Sequence, residues 1–184
     1  FEQYLKEESL PAREHEESIS RGQGHLGQYY DHYQHEFNPN VTVDYDFRSQ
    51  NVYLDNIPIT GKIDKIEIIT PGKPSIIGVV DYKTGNPDTK SAELSPGGDY
   101  FRQLVFYSIL ARQASDFPYR IKKGTIDFVF KSQRSDRFIR KDYVFTESDI
   151  NQVESEIKST YNRILSLEFP PSPECKNKLG YHDL

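Results

Sequence analysis

The sequence predicts an α/β fold in which a central mixed β-sheet is flanked by helices. Apolar runs of strand length occur at 57–69, 75–83 and 119–131. Amphipathic stretches with helical spacing occur at about 20–36, 99–114 and 146–168. The aromatic content of 13% and the apolar content of 35% are typical of a globular protein and exclude a disordered chain.

The first half of the chain is predicted to hold one helix followed by a meander of strands. Ser20 is a candidate cap for this helix, which we expect to end near Glu36, before Asn38-Pro39-Asn40. The strands are expected at Val41–Arg48, Asn51–Leu54, Ile57–Ile69 and Ser75–Lys83. Asp55-Asn56 and Pro71-Gly-Lys-Pro74 are the turns between them.

The second half is predicted to hold two helices and a strand pair. The loop 86–98 is rich in Pro, Gly and Ser, and Asp99 opens a helix to about Ala114. Strands at 119–131 and 137–145 flank a polar turn at 132–136. Thr146-Glu-Ser-Asp149 is a capping box that starts the last helix. Phe169-Pro-Pro-Ser-Pro173 ends that helix, and a loosely held tail is expected after it.

The 184 residues predict one domain, with a core at about 20–170 and a tail at 170–184. The chain starts at Phe1 and lacks methionine, so we expect it to be part of a longer protein. No apolar run has membrane-spanning length, and no signal peptide pattern is visible. A single cysteine, Cys175, excludes a disulfide scaffold and makes the cytoplasm the expected location.

Two short motifs carry most of the functional information. Gly61-Lys-Ile-Asp64 is followed 17 positions after its Asp by Asp81-Tyr-Lys83-Thr-Gly85. Asp81 and Lys83 are two apart in a strand, so their side chains should point to one face. Two carboxylates and a lysine at one place suit phosphodiester cleavage with a divalent metal, because carboxylates hold a hard cation and lysine faces phosphate or water.

Each of these residues also has a structural explanation. Asp64 can form a salt bridge with Lys62 or Lys83, Asp81 can cap the loop after its strand, and Lys83 can lie at a surface strand end. Two carboxylates about 4 Å apart repel by roughly 4 kcal/mol at an effective dielectric near 20. A bound cation removes that repulsion, so the pair makes more sense with metal than without it.

The charge distribution indicates one candidate nucleic-acid surface. The net charge is −5, yet residues 119–141 carry eight Lys and Arg against two Asp. Such a basic segment on an acidic protein can contact phosphates, and Lys131, Arg134 and Arg137 near its turn are the candidates. The alternative is a solvated hairpin whose charges only face water.

The motifs, with Gln103-x-x-x-Tyr107 after them, resemble the RecB-like nucleases of the PD-(D/E)XK superfamily over about residues 20–170. The nearest resemblance is to the nuclease domains at the C-terminus of UvrD/Rep-type superfamily 1 helicases and of AddAB-type helicase–nucleases. The resemblance implies that Asp64, Asp81 and the Tyr82 carbonyl bind Mg²⁺ or Mn²⁺. It further implies that Lys83 orients water or stabilises charge, and that Gln103 and Tyr107 line the DNA path.

Two departures from that family matter. Its members usually carry a metal-binding His on an N-terminal helix, and here no His has the usual surroundings. His25 is the best candidate within the chain, although a solvated helix position is the alternative, and the true ligand can lie before Phe1. Some relatives hold an iron–sulfur cluster with four cysteines. Cys175 alone cannot complete one, so it is a leftover ligand or a tail cysteine.

These patterns predict a Mg²⁺- or Mn²⁺-dependent deoxyribonuclease domain of a helicase–nuclease used in DNA repair or recombination. The expected partners are DNA, as a single strand or an unwound end, and helicase domains of the same or a partner chain, with no membrane. One alternative is a catalytically inactive DNA-binding or docking module that kept the nuclease fold. Another is a structural α/β domain whose acids only pair with lysines.

Overall fold

A mixed five-stranded sheet forms the centre of the computed structural model, which describes residues 10–169 together with Lys6 and Glu8. In chain order the strands are β1 Val41–Asp46, β2 Tyr53–Leu54, β3 Ile57–Pro58, β4 Lys62–Thr70, β5 Ser75–Lys83, β6 Tyr119–Lys131 and β7 Phe138–Tyr143. The central sheet has the order β1-β4-β5-β6-β7, while β2 and β3 form a separate hairpin. The predicted fold class is confirmed.

One pair of neighbouring strands within the sheet is parallel, whereas the other neighbours are antiparallel. Strands β1, β4 and β5 are antiparallel neighbours, as are β6 and β7, but β5 and β6 run parallel. A parallel pair needs a crossover, which is supplied by helix α2, Asp99–Gln113. The crossover brings α2 across the sheet, where its buried Leu104, Ile109 and Leu110 face the strands and α3, Glu147–Leu165.

Helix α1, Ala12–Tyr33, lies on the other face of the sheet. Tyr29 and Tyr33 pack there against Val129, and the Tyr29 hydroxyl donates to the Asp127 carboxylate at 2.6 Å. Arg140 pairs with the same carboxylate oxygen at 2.8 Å. Asp127 is fully buried, so this cluster provides the charge partner and the hydrogen bond that a buried carboxylate requires.

The start of α1 was predicted wrongly. The helix begins at Ala12, directly after Pro11, and Ser20 lies inside it instead of capping it. The early turns contain good helix formers and an ion pair between Arg13 and Glu17 at 2.8 Å, four residues apart. The helix ends at Tyr33 and continues as the single 3₁₀ turn Gln34–Glu36.

The single strand predicted over 57–69 is interrupted. Ile57–Pro58 pairs with Tyr53–Leu54 across the predicted Asp55-Asn56 turn, and the central strand starts only at Lys62. In between, the Ile59 amide donates to Val52 and the Gly61 carbonyl accepts from Phe47, so this segment bonds outside the central ladder. A Cβ on Gly61 would lie 2.7 Å from the Leu110 side chain, which explains why glycine suits this close approach.

Other elements agree closely with the sequence. Strands β5 and β6 have the predicted bounds, and α2 ends one residue before Ala114. The capping box is confirmed, since the Asp149 amide donates to Thr146 Oγ1 at 3.2 Å and the Thr146 amide donates to the Asp149 carboxylate at 2.7 Å. The tail 170–184 and Cys175 lie outside the described residues. Within the described part of the chain, no helix is both long and apolar enough to cross a membrane.

Candidate active site

The two motif carboxylates are held by neighbouring antiparallel strands. Lys65 of β4 pairs with Val80 of β5, and this register places Asp64 directly across from Asp81. Directly opposed residues share one face of a sheet. One oxygen of Asp64 accepts a hydrogen bond from the Tyr82 backbone amide at 2.8 Å, which ties the two strand ends together.

Asp81 is the most constrained residue of the site. It is only 2% exposed, and its Oδ1 accepts hydrogen bonds from Gln103 Nε2 at 2.7 Å and from the Tyr107 hydroxyl at 2.8 Å. Its Oδ2 lies 2.7 Å from Lys83 Nζ but receives no hydrogen bond of good geometry from the described residues. These contacts come from helix α2 and from the same strand, not from the following loop, so Asp81 does not act as a loop cap.

Lys83 lies on the same face as Asp81, as strand periodicity predicts. Its side chain is 18% exposed, and its ammonium donates to Gln103 Oε1 at 2.7 Å. The ammonium also lies 4.6 Å from the centre of the Tyr100 ring, within the range of a cation–π contact. The lysine is therefore a fixed positive charge beside the carboxylates and not a free surface side chain.

Helix α2 joins the two charges through one amide. Gln103 donates to Asp81 and to the Tyr107 hydroxyl, the latter at 2.9 Å, while its oxygen accepts from Lys83. Gln103 and Tyr107 are four apart, which puts both on one helix face. Burial, followed by the nearby Asp81 charge, raises the pKa of Tyr107, so its hydroxyl stays protonated and acts as a donor.

Asp64 is the carboxylate of the pair that has no lysine partner among the described residues. Burial raises its pKa above the usual value, the Tyr82 amide opposes that shift, and the charge of Asp81 raises the pKa further. Neither lysine suggested as its partner pairs with it in the described structure, because Lys62 binds Asp44 at 2.7 Å and Lys83 binds Asp81. The site thus holds two carboxylates and only one neutralising ammonium.

The family model described as the PD-(D/E)XK nuclease superfamily matches residues 2–177. The chain belongs to this superfamily. No protein of curated function matches it in sequence. Membership assigns a nuclease fold to the domain, and Asp81-Tyr82-Lys83 has the acid-x-Lys spacing that the superfamily's name abbreviates.

The donor set of this nuclease domain fits a divalent cation. Carboxylate oxygens are the ligands that Mg²⁺ and Mn²⁺ prefer, and the buried Asp81 Oδ2 lacks a well-aligned hydrogen bond. A cation between Asp64 and Asp81 would offset the charge of Asp81, which adds to burial in raising the pKa of Asp64. Within residues 10–169, no group of three or more His, Cys, Asp and Glu side chains could hold a metal, so water would supply much of the coordination.

His25 is not brought into such a group. It lies on α1, where its ring stacks on Phe130 with a centroid distance of 4.2 Å. Its role as a ligand remains a prediction, as does that of the Tyr82 carbonyl. The Tyr82 ring, by contrast, lies edge-on to Tyr29 on the α1 face, 6.2 Å between centroids.

Part of the basic segment is neutralised within the nuclease fold. Lys123 pairs with Asp142 at 2.9 Å and Arg140 with Asp127, and Lys141, although it keeps its charge, is held by the Leu94 carbonyl at 2.7 Å. The sequence alone overstated the free positive charge of this segment. The acidic partners of Lys123 and Arg140 lie on the neighbouring strand, 13 or more positions away in sequence, and such pairs cannot be read from a local pattern.

The turn between β6 and β7 keeps exposed charge. Arg134 and Arg137 are exposed, and Lys131 has only a long 3.4 Å contact with Asp136. The Asp88 carboxylate holds this turn, accepting from Ser132 Oγ at 2.6 Å and from the Gln133 amide at 2.8 Å. Asp88 follows the active-site strand closely, so the basic turn is anchored to the loop that leaves the site.

Sequence reasoning missed Asp88 and Tyr100. Asn86-Pro87-Asp88 is a turn signal, and Asn86 accepts from the Asp88 amide at 2.9 Å, but nothing local indicates that Asp88 reaches a hairpin more than 40 positions later. Tyr100 lies in the first turn of α2, one turn before Gln103. An aromatic residue so close to Gln103 on the helix was the signal available for it.

Proposed function

We propose that this domain is a Mg²⁺- or Mn²⁺-dependent deoxyribonuclease that hydrolyses phosphodiester bonds of single-stranded or unwound DNA. The observation that carries the proposal is the convergence of Asp64, Asp81 and Lys83 on one face of the sheet. Asp81 is buried there, its Oδ1 accepts two hydrogen bonds, and its Oδ2 lies 2.7 Å from the Lys83 ammonium. A purely structural set of acids and lysines would pair off, whereas Asp64 has no lysine partner among the described residues.

Asp64 and Asp81 would hold the cation, with the Tyr82 carbonyl as a further ligand. When bound, the cation activates water and neutralises charge on the scissile phosphate. Lys83 places a second positive charge beside the same phosphate, which stabilises the charge that develops on its oxygens. Gln103 orients both the ammonium and the Asp81 carboxylate, since one amide contacts each of them.

Tyr107 acts as a hydrogen-bond donor to Asp81 and does not transfer protons during the reaction. Its raised pKa keeps the hydroxyl protonated, so it donates steadily to Asp81 Oδ1. That donation leaves Oδ2, which lies beside Lys83, as the oxygen that would be available to a cation. Gln103 and Tyr107 are therefore positioning residues in this proposal, and the buried Tyr107 acts only through its hydrogen bonds to Asp81 and Gln103.

DNA would leave the site along the turn between β6 and β7. Lys131, Arg134 and Arg137 carry its exposed positive charge, and Asp88 fixes it next to the end of the active-site loop. Phosphate contacts of this kind position a strand without reading its sequence. Attachment to helicase domains, a role in repair or recombination and a cytoplasmic location belong to the proposal and rest on the family resemblance and the single cysteine.

The rival proposal is a DNA-binding module that has lost catalysis. The absence of a third described metal ligand favours it, whereas the retained ammonium and the orientation of Asp81 favour activity. The two differ in one measurement. The full chain, incubated with single-stranded DNA and Mn²⁺, should release fragments, and Asp81→Ala should abolish their release.

Two comparisons make this assay decisive. Asp116→Asn removes an exposed carboxylate in the loop after α2 and should cut like the wild type. If the wild type retains DNA on a gel shift but cuts none at saturating Mn²⁺, the inactive module is correct. If Asp81→Ala cuts as fast as the wild type, the assigned site is wrong.

A further inference from the structure

A cavity lies at the far end of the sheet from the candidate active site. Its volume is about 470 Å³, and it is enclosed by α2, the start of β6 and the start of α3. Tyr119 in its wall pairs with Ser75 at the beginning of β5, six residues before Asp81. At about 3.3 Å per strand residue, roughly 20 Å separate this cavity from the catalytic carboxylates.

Ser108 places a buried, unpaired polar side chain in the wall of this cavity. It lines the cavity from α2, it is 4% exposed, and its hydroxyl has no hydrogen-bond partner within the described part of the chain. A buried hydroxyl without a partner costs free energy, and an unpaired one in a native protein calls for an explanation. A ligand with an acceptor oxygen supplies the missing partner.

The mouth of the cavity has an excess of positive charge. Arg112 and Glu147 form a bidentate ion pair at 2.6 and 2.7 Å. The Arg112 hydrogen bond is the main cause of the lowered pKa of Glu147, and the charge of Arg120 lowers it further. Two guanidinium groups and one carboxylate therefore line the mouth, while Glu154 lies outside the lining but within electrostatic reach of Arg112.

The remaining walls are apolar and aromatic. Tyr119 and Phe145 are half-buried and line the cavity together with Ile121 and Ile150. Flat apolar walls beside two guanidinium groups suit a ligand that combines a phosphate with an aromatic ring. The cavity volume lies within the range of small-molecule sites, about 300–1,000 Å³.

We propose that this cavity binds a 5′-phosphorylated nucleotide, independently of the catalytic site. The phosphate lies between Arg112 and Arg120 and accepts a hydrogen bond from Ser108, and the base packs against Tyr119 and Phe145. The same chemistry is presented by a free deoxynucleoside monophosphate and by the 5′-phosphorylated end of a DNA strand.

Calorimetric titration of the full chain with deoxyadenosine 5′-monophosphate in EDTA tests the proposal. Binding is expected for the monophosphate and not for deoxyadenosine. A 5′-phosphorylated oligonucleotide that competes identifies strand ends as a source, and one that does not compete leaves the free nucleotide as the ligand. If neither phosphorylated probe binds, the proposal is wrong.

Two matched variants separate binding from stability. Arg112→Gln and Glu147→Gln both remove the same ion pair, but the first removes a phosphate donor and the second removes the competing carboxylate. Affinity should fall about tenfold in Arg112→Gln, a loss near 1.4 kcal/mol, and rise in Glu147→Gln. Changes in the same direction would show that the ion pair matters only for the fold and would overturn the proposal.

Two further variants locate the ligand. Ser108→Ala breaks no observed contact, so it should fold normally and weaken binding by the loss of one hydrogen bond. Lys62→Met changes an exposed lysine of β4 close to the distant catalytic carboxylates, so it should bind the monophosphate like the wild type. A nucleotide that no longer binds to Lys62→Met, or that binds equally well to Ser108→Ala, would contradict this placement.

Discussion

Removing the lysine of the active site and removing one of its carboxylates should affect metal-free stability very differently. Asp64 and Asp81 lie across from each other, and Lys83 Nζ lies 2.7 Å from Asp81. The site therefore holds two negative charges and one positive charge. Asp81→Asn leaves one charge of each sign, whereas Lys83→Met leaves two carboxylates with no counter-ion.

The expected magnitudes follow from these contacts. Opposed residues on one sheet face have Cβ atoms about 5 Å apart, and two carboxylates at that distance repel by about 3 kcal/mol at a dielectric near 20. Breaking a buried ion pair costs about 3–5 kcal/mol, and the lower end applies because the Lys83 side chain is 18% exposed. In Asp81→Asn the loss of the ion pair with Lys83 and the relief of the repulsion with Asp64 nearly cancel. The free energy of unfolding should therefore change by less than about 1 kcal/mol.

In Lys83→Met the ion pair with Asp81 is lost while the repulsion between the two carboxylates remains, so the protein should be destabilised by about 3 kcal/mol. Urea unfolding of both variants in EDTA measures the difference, and a Mg²⁺ titration extends it. Magnesium should restore much of the stability of Lys83→Met, because the cation replaces the missing charge, but it should stabilise Asp81→Asn far less than the wild type.

The matched control is Lys62→Met. Lys62 is a neighbouring lysine of the same sheet, but it pairs with the exposed Asp44, so its loss should lower the free energy of unfolding far less than Lys83→Met does. Equal stability of Lys83→Met and Asp81→Asn in EDTA would refute the charge balance described here. A Mg²⁺ response of Asp81→Asn as large as that of the wild type would refute the assignment of Asp81 as a metal ligand.

Three further outcomes are expected. The pKa of Asp64 is raised on folding, so metal-free stability should fall as pH rises above the unfolded pKa of about 3.9, and Asp64→Asn should remove that fall in urea unfolding across pH. Neutralising the exposed charges of the β6–β7 turn, Lys131, Arg134 and Arg137, should weaken binding of all DNA sequences alike and make the salt slope shallower by about 0.7 per lost contact on single strands, whereas an unchanged slope would mean that the turn only faces water. Thr146→Ala removes the confirmed capping box and should cost about 1 kcal/mol in thermal unfolding, while Thr89→Ala is the exposed control.

Sequence patterns predicted those elements best whose signals are local. The bounds of β5 and β6 and the cap of α3 were correct, because apolar runs and a four-residue box are complete within their own segments. The start of α1 was wrong because Ser20 carries a capping preference that a longer helix simply overrides. The break between β3 and β4 depends on hydrogen bonds to Val52 and Phe47, which no strand pattern can show.

By itself, the sequence determined the fold class, the pairing of Asp81 with Lys83 on one strand face, and the joint placement of Gln103 and Tyr107 on one helix face. Each follows from a fixed period of 2.0 or 3.6 residues. Only the tertiary structure decided which groups meet across elements. In the folded protein Asp81 accepts hydrogen bonds from Gln103 and Tyr107 and pairs with Lys83, while Asp64 has no lysine partner among the described residues. The Asp88 carboxylate binds the basic turn through Ser132. Such contacts depend on strand register and on the crossover of α2, which arise from packing the whole chain and not from any local pattern.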